Sequence, residues 1–392
     1  MTATPEAPAD VQAATAEPAH ARLAQPAPHR ATLLILGIIG FIIVGIAALI
    51  VVVYFLSFLG PGLTFVGGIL ALVPLTIVLL GIRWIDRWEP EPLGILLFAF
   101  FWGAGVSIVL ALTVDTAAQF EIGVHGGPTG ATDLLQSVVQ APIVEESAKG
   151  FGVLLIFWVA RKYFDGPVDG IVYATSIAAG FAFSENILYF GRTLAEHGVG
   201  PDFAVIFVAR GLFSPFAHAL FTSCTGYALG RAAERSSRLG AVGWYVVGVI
   251  PAAVLHALWN GGLAAARNTI GYYFTVEVPI FLLAVGLVLA VRSRERRITR
   301  LRLGEYAEAG WFTPDEVALL STWTGRRHAL RWADLQPDRR RKRRAMVRFV
   351  RDSTRLGHAR QRLLKARAGV GRTPDEQELL ARISADRAVL VS

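Results

Sequence analysis

The chain has 392 residues, 54% hydrophobic and only 17% charged, with a mean hydropathy of +0.49. Soluble domains carry about 25% charged residues, so this balance excludes an ordinary soluble protein and makes lipid the main solvent. The single cysteine, Cys224, excludes an internal disulfide framework and a cysteine-rich zinc site, and within its apolar run it reads as a small buried thiol.

The residues up to His29 are rich in Ala and Pro and poor in bulky apolar side chains, so 1–30 reads as a disordered cytoplasmic leader. It does not read as a signal peptide, because the apolar run from Ala31 is too long and no clean cleavage site follows it. From Leu33 to Val291 apolar runs of about 20 residues recur, the length that crosses about 30 Å of hydrocarbon. Eight spans are predicted, near 32–57, 62–82, 93–114, 134–160, 168–190, 204–229, 241–265 and 272–291. The first two are joined only by Gly60-Pro61-Gly62 and should form a tight hairpin. The fold class is therefore all-α: a polytopic membrane protein with a core over 31–292 and a helical cytoplasmic tail over 293–392.

Basic residues set the orientation. Arg83 and Arg87 follow the second span, Arg161 and Lys162 the fourth, and Arg231, Arg235 and Arg238 the sixth. An arginine-rich tail follows the eighth. With eight spans all four segments share one side, so both termini should be cytoplasmic in the inner (plasma) membrane. The formal charge of +8 is concentrated in the tail, where 24 Lys and Arg face 12 Asp and Glu. There, Thr313-Pro314-Asp315-Glu316 and Thr373-Pro374-Asp375-Glu376 each carry the pattern of a capped helix start. The block Arg339 to Arg344 between them suits anionic lipid headgroups or a cytoplasmic protein, and no nucleic-acid motif accompanies it.

An ionisable side chain inside a span costs roughly 2.5–3.5 kcal/mol on insertion scales and is a functional-site hypothesis by default. Four spans carry such residues. The fourth holds Glu145, Glu146 and Lys149, with the lysine placed to neutralise either carboxylate. The fifth holds Glu185 with Asn186, the sixth His218, and the seventh His256 with Asn260 one turn on. Measured from the predicted outer ends, Glu145 and His218 lie deeper than His256 and Glu185. A water-filled ion path lined by these groups, in a transporter or channel, is the rival reading. A scaffold whose tail does its work is a third.

In this order the residues resemble the PrsW family of intramembrane proteases and, more distantly, the CAAX prenyl protease and bacteriocin-processing group. Several segments between about 80 and 265 carry the likeness. They are Asp86-Arg87-Trp88-Glu89-Pro90-Glu91-Pro92 and Glu145-Glu146-x-x-Lys149, then Asp169-Gly170 leading to Glu185-Asn186, and finally His218 to Gly226 with His256 and Asn260. The resemblance implies hydrolysis of a peptide bond in a membrane-anchored protein such as an anti-sigma factor. Glu145 or Glu146 would activate a water, and the other carboxyl or a histidine would protonate the leaving amine. His218, His256 and Asn260 would hold the water and the developing oxyanion, and Glu185 and Asn186 would complete the pocket. No His-Glu-x-x-His helix occurs, so the expected site is metal-free and glutamate-based, with no cofactor. The alternative is zinc held by His218, His256 and Glu146. Serine-elbow and Gly-x-Gly-Asp patterns are also missing, and Asp165 and Asp169 read as solvated turn residues.

Overall fold

The computed structural model describes residues 30–124, 127–235, 239–365 and 376–392. The predicted leader and the second capping sequence, Thr373-Pro374-Asp375, lie outside them. The described residues are helical with no strand. Eight long helices form the membrane core: α1 (Arg30–Phe58), α2 (Gly60–Ile85), α3 (Leu93–Val124), α4 (Ala141–Val159), α5 (Pro167–His197), α6 (Pro201–Arg235), α7 (Gly240–Ala265) and α8 (Thr269–Glu308). Seven of them are long and apolar enough to cross a membrane. The exception is α4, whose Glu145, Glu146 and Lys149 break its apolar run; a helix over Gly130–Leu135 and a π turn over Gln136–Gln140 lead into it. Ile38, Ile42, Leu49 and Val53 of α1 are about half exposed. That is costly in water and costless in lipid.

The centre of the bundle is α5, most of whose length is buried. Backbones come this close only where side chains are absent. A Cβ at Gly170 would lie 2.0 Å from the Gly226 carbonyl oxygen of α6, and one at Gly180 would lie 1.9 Å from the Phe100 carbonyl oxygen of α3. Helix α4 is pinned from two sides, by Trp102 Nε1 of α3 donating to the Ala148 carbonyl (3.0 Å) and Tyr245 of α7 donating to that of Ser147 (3.0 Å). These bonds fix the rotation of the helix that carries the glutamate pair.

Beyond the bundle, α9 (Pro314–Leu320), α10 (Trp323–Asp334), α11 (Arg339–Lys365) and α12 (Glu376–Val391) pack with the end of α8 around Leu303, Phe312, Leu320, Phe349, Leu356 and Ile383. The capping box at Thr313 forms as the sequence predicts: Glu316 N donates to Thr313 Oγ1 (3.1 Å) and Thr313 N to Glu316 Oε2 (2.8 Å). This tail docks on the loops after α2, α4 and α6. Arg326 lies over the Trp88 ring at 3.4 Å and donates to its carbonyl (2.6 Å). Arg355 pairs with Glu89 (3.1 Å), Arg362 with Asp165 (3.0 Å) and Arg294 with Glu234 (3.2 Å). The four basic segments expected to share a side therefore do lie at one end of the bundle.

One sequence expectation changes there. Asp169 is not a solvated turn residue: it is 8% exposed and accepts the N–H groups of Asp165 (2.6 Å) and Gly166 (3.0 Å), closing the start of α5. Burial also raises the Glu91 carboxyl well above its usual range, and that group accepts the Tyr173 hydroxyl. The acidic loop is thus a docking surface with fewer free charges than its composition suggests.

Candidate active site

The site is built where α4, α5, α6 and α7 meet. Lys149 is fully buried, and its ammonium lies 2.7 Å from Glu146 Oε1, 3.3 Å from Glu145 Oε2 and 3.2 Å from His218 Nδ1, above the Phe181 ring at 4.0 Å. An ammonium can only donate, so His218 Nδ1 must accept, and its Nε2 proton then goes to Glu185 Oε2, 2.8 Å away. Glu146 is also fully buried; it accepts the Thr222 hydroxyl (2.8 Å) and lies 3.1 Å from His256 Nδ1. By the same reasoning the His256 proton sits on Nδ1, which leaves Nε2 as a lone-pair donor.

The two glutamates are not equivalent. Glu145 is 12% exposed at its side chain and borders a cavity of about 150 Å³ together with Glu185, His218, His256 and Asn260. Glu146 does not reach that cavity; its oxygens are spent on Lys149, His256 and Thr222. One residue step, about 100° of helix rotation, separates a carboxylate that can meet substrate from one that orients its neighbours. Asn260 hangs from the Ser137 carbonyl by one amide hydrogen (2.8 Å) at the rim of the cavity. Asn186 lines the wall and accepts from Arg210 Nε (3.1 Å).

All eight predicted site residues thus lie in or around one cluster. The depth estimate that set Glu185 apart from Glu145 and His218 fails because α5 runs past its predicted end at residue 190. Helix α5 continues to His197, twelve residues past Glu185, which puts that carboxylate about 18 Å along the helix. His218 is turned inward by a break over Ser214–Phe216 that follows a π turn, Ala209–Phe213.

The sequence reading missed Arg210, which sits on that π turn. Its guanidinium is 2.6 Å from Glu185 Oε2 and 3.7 Å from the Tyr189 ring centroid, and it lines the cavity. An arginine inside the apolar run of 204–229 was the available signal.

Each histidine gives one nitrogen to a carboxylate, as metal-ligating histidines do. One donor atom each from Glu145, Glu146, His218 and His256 falls within 4.8 Å of all the others. The chemistry of this donor set fits a divalent ion such as zinc. Lys149 is the competitor, since its ammonium takes a lone pair from three of the four.

Residues 91–289 match the family described as PrsW family intramembrane metalloprotease. The chain is 32% identical over 209 residues to Protease PrsW of Bacillus subtilis (strain 168), covering 53% of this chain and 87% of that one. It is 30% identical over 200 residues to Protease PrsW of Geobacillus kaustophilus (strain HTA426), covering 51% and 78%. With Protease PrsW of Clostridioides difficile (strain 630) the figures are 33% over 163 residues, 41% and 63%. No solved structure matches the chain.

Proposed function

The chain belongs to the PrsW family and is a membrane peptidase, and from that premise we propose that it cuts a membrane-anchored protein at the cavity bordered by Glu145, His218 and His256. The observation that carries this reading is the convergence of ionisable side chains from four helices on one cavity inside the membrane core. The family assignment leaves the transporter and scaffold readings without support.

In the proposed mechanism Glu145 takes a proton from a water in the cavity as that water attacks the scissile carbonyl carbon. It then delivers the proton to the leaving amine nitrogen, so one carboxyl serves as base and then acid. The second amide hydrogen of Asn260 and the Arg210 guanidinium are the donors placed to hold the carbonyl oxygen as it gains charge. Glu146 and Glu185 hold the two histidines in their tautomers, and Lys149 balances the glutamate pair. The family description and the donor set support a divalent ion, against the metal-free expectation. His218 and His256 would hold it with a carboxylate of the glutamate pair, and when bound it would polarise the carbonyl and acidify the water. The proposed substrates are membrane-anchored chains, with anti-sigma factors as the candidate class, since cleavage within the membrane needs an anchored chain. Comparing the membrane proteome of cells carrying the wild-type protein with cells carrying Glu145→Gln should reveal them as intact chains that accumulate only in the variant.

The clustering of the basic loops with the tail supports cytoplasmic termini in the inner membrane. A reporter fused after Val291 should therefore read cytoplasm and one near Gly127 outside; the reverse would overturn the orientation. In the tail block, Arg339 and Arg343 pair with Asp334, but Arg340, Arg341 and Arg344 are exposed. These three support contact with anionic headgroups. Changing them to Glu in the full chain should weaken crosslinking of the tail to anionic lipid in liposomes, with an effect that shrinks in high salt. Equal behaviour in neutral and anionic liposomes would point to a cytoplasmic protein partner instead.

A further inference from the structure

The last span carries a carboxylate that the hydrolytic cluster does not use. Glu277 closes a π turn, Tyr273–Glu277, in α8 and is 3% exposed. Neither of its oxygens meets a hydrogen-bond donor among the described residues. The nearby Tyr273 hydroxyl is spent on the Phe213 carbonyl (2.8 Å). A buried polar group left in this state costs about 1–3 kcal/mol, and more when charged. Such groups call for an explanation outside the fold.

Glu277 lines a second cavity of about 190 Å³, walled by Phe213, Phe216, Leu220, Trp259, Tyr273 and Phe281. Ser214, Ala217 and Trp259 border both this cavity and the hydrolytic one. The helix break that turns His218 inward thus also forms the partition between the two spaces. Apart from Ser214, Glu277 is the polar side chain in a lining that is otherwise apolar or aromatic.

That lining selects for a side chain with an apolar stem and a cationic head. Aromatic faces attract a cation, a methylene stem buries against them, and the carboxylate supplies the charge-assisted acceptor. A purely apolar side chain would leave Glu277 unpaired, and an acidic one would repel it. Resting on the reading of the neighbouring cluster as the hydrolytic centre, we propose that the Glu277 cavity is a specificity subsite that takes a lysine or arginine side chain of the substrate close to the scissile bond.

The test uses the full chain in liposomes and membrane-anchored reporters whose spans are built of leucine and alanine. Lysine, arginine, norleucine or glutamate is placed at successive positions along the reporter. At one position, lysine or arginine should raise kcat/KM over norleucine on the order of 10- to 100-fold, the worth of one hydrogen bond to a charged group. Glu277→Gln should collapse that ratio towards one, and Glu277→Arg should turn it in favour of glutamate. Equal kcat/KM for lysine and norleucine at every position would overturn the proposal, as would a Glu277→Gln variant that slows all reporters alike. A binding arm needs no turnover: photo-crosslinking of the same reporters to Glu145→Gln protein should favour lysine or arginine over norleucine, and equal capture would also overturn it. Failure of the underlying reading looks different, because cleavage would then persist in Glu145→Gln whatever its cation preference.

Discussion

Glu145→Gln is expected to abolish cleavage and leave the protein folded, whereas Glu146→Gln should damage both activity and stability. The difference follows from where the two carboxylates point. Glu145 faces the cavity, so replacing it with an isosteric amide removes the proton carrier while most packing stays in place. Loss of a general base typically costs 10²–10⁴-fold in rate. Glu146 is fully buried against the Lys149 ammonium and holds Thr222 and His256 as well. Its neutralisation leaves a buried cation short of its closest partner, and breaking such a pair costs about 3–5 kcal/mol. Unfolding in detergent should therefore shift strongly for Glu146→Gln and little for Glu145→Gln. Identical unfolding in both variants would contradict the division of roles.

The second large effect concerns metal. Purified full-length protein is expected to carry close to one divalent ion per chain by elemental analysis, and His218→Ala or His256→Ala should each lose it. Both histidines already have a carboxylate on their other nitrogen, the arrangement that raises ligand basicity. Removing only the orienting partner of such a ligand typically costs 10–100-fold in metal affinity or activity. Lys149→Met should act in the opposite sense, because it frees lone pairs on Glu145, Glu146 and His218 and leaves the carboxylates without their cation. Protein that is active after chelation and holds no stoichiometric metal would restore the glutamate-only site that the sequence suggested.

Much of this site was legible because ionisable residues are conspicuous in apolar runs. Glu145, Glu146, Lys149, Glu185, His218 and His256 stand out for that reason alone, and the structure places them in contact. Their depths were not legible, since a hydropathy pattern does not show that α5 runs on through Arg192 and Glu196 to His197. Those two residues pair with each other at 2.7 Å on the helix surface, so the charges read as a loop while the backbone stays helical. Arg210 escaped notice because its role depends on a π turn, which no periodicity announces. Glu277 escaped for a similar reason: it sits among tyrosines near the start of the last span and resembles an interfacial residue until its burial is seen. The asymmetry between Glu145 and Glu146 needed the rotation of α4, which is set by bonds from Trp102 and Tyr245, residues far away in the chain.

The central claim is that Glu145 moves the proton in peptide-bond hydrolysis at this cavity. The most direct measurement is single-turnover cleavage of a membrane-anchored reporter by the purified full-length protein in liposomes, wild type beside Glu145→Gln, with reporter binding measured in the same samples. The account predicts that the variant binds the reporter as the wild type does and cuts it at least about 100-fold more slowly. A variant that binds normally and cuts at the wild-type rate would contradict it.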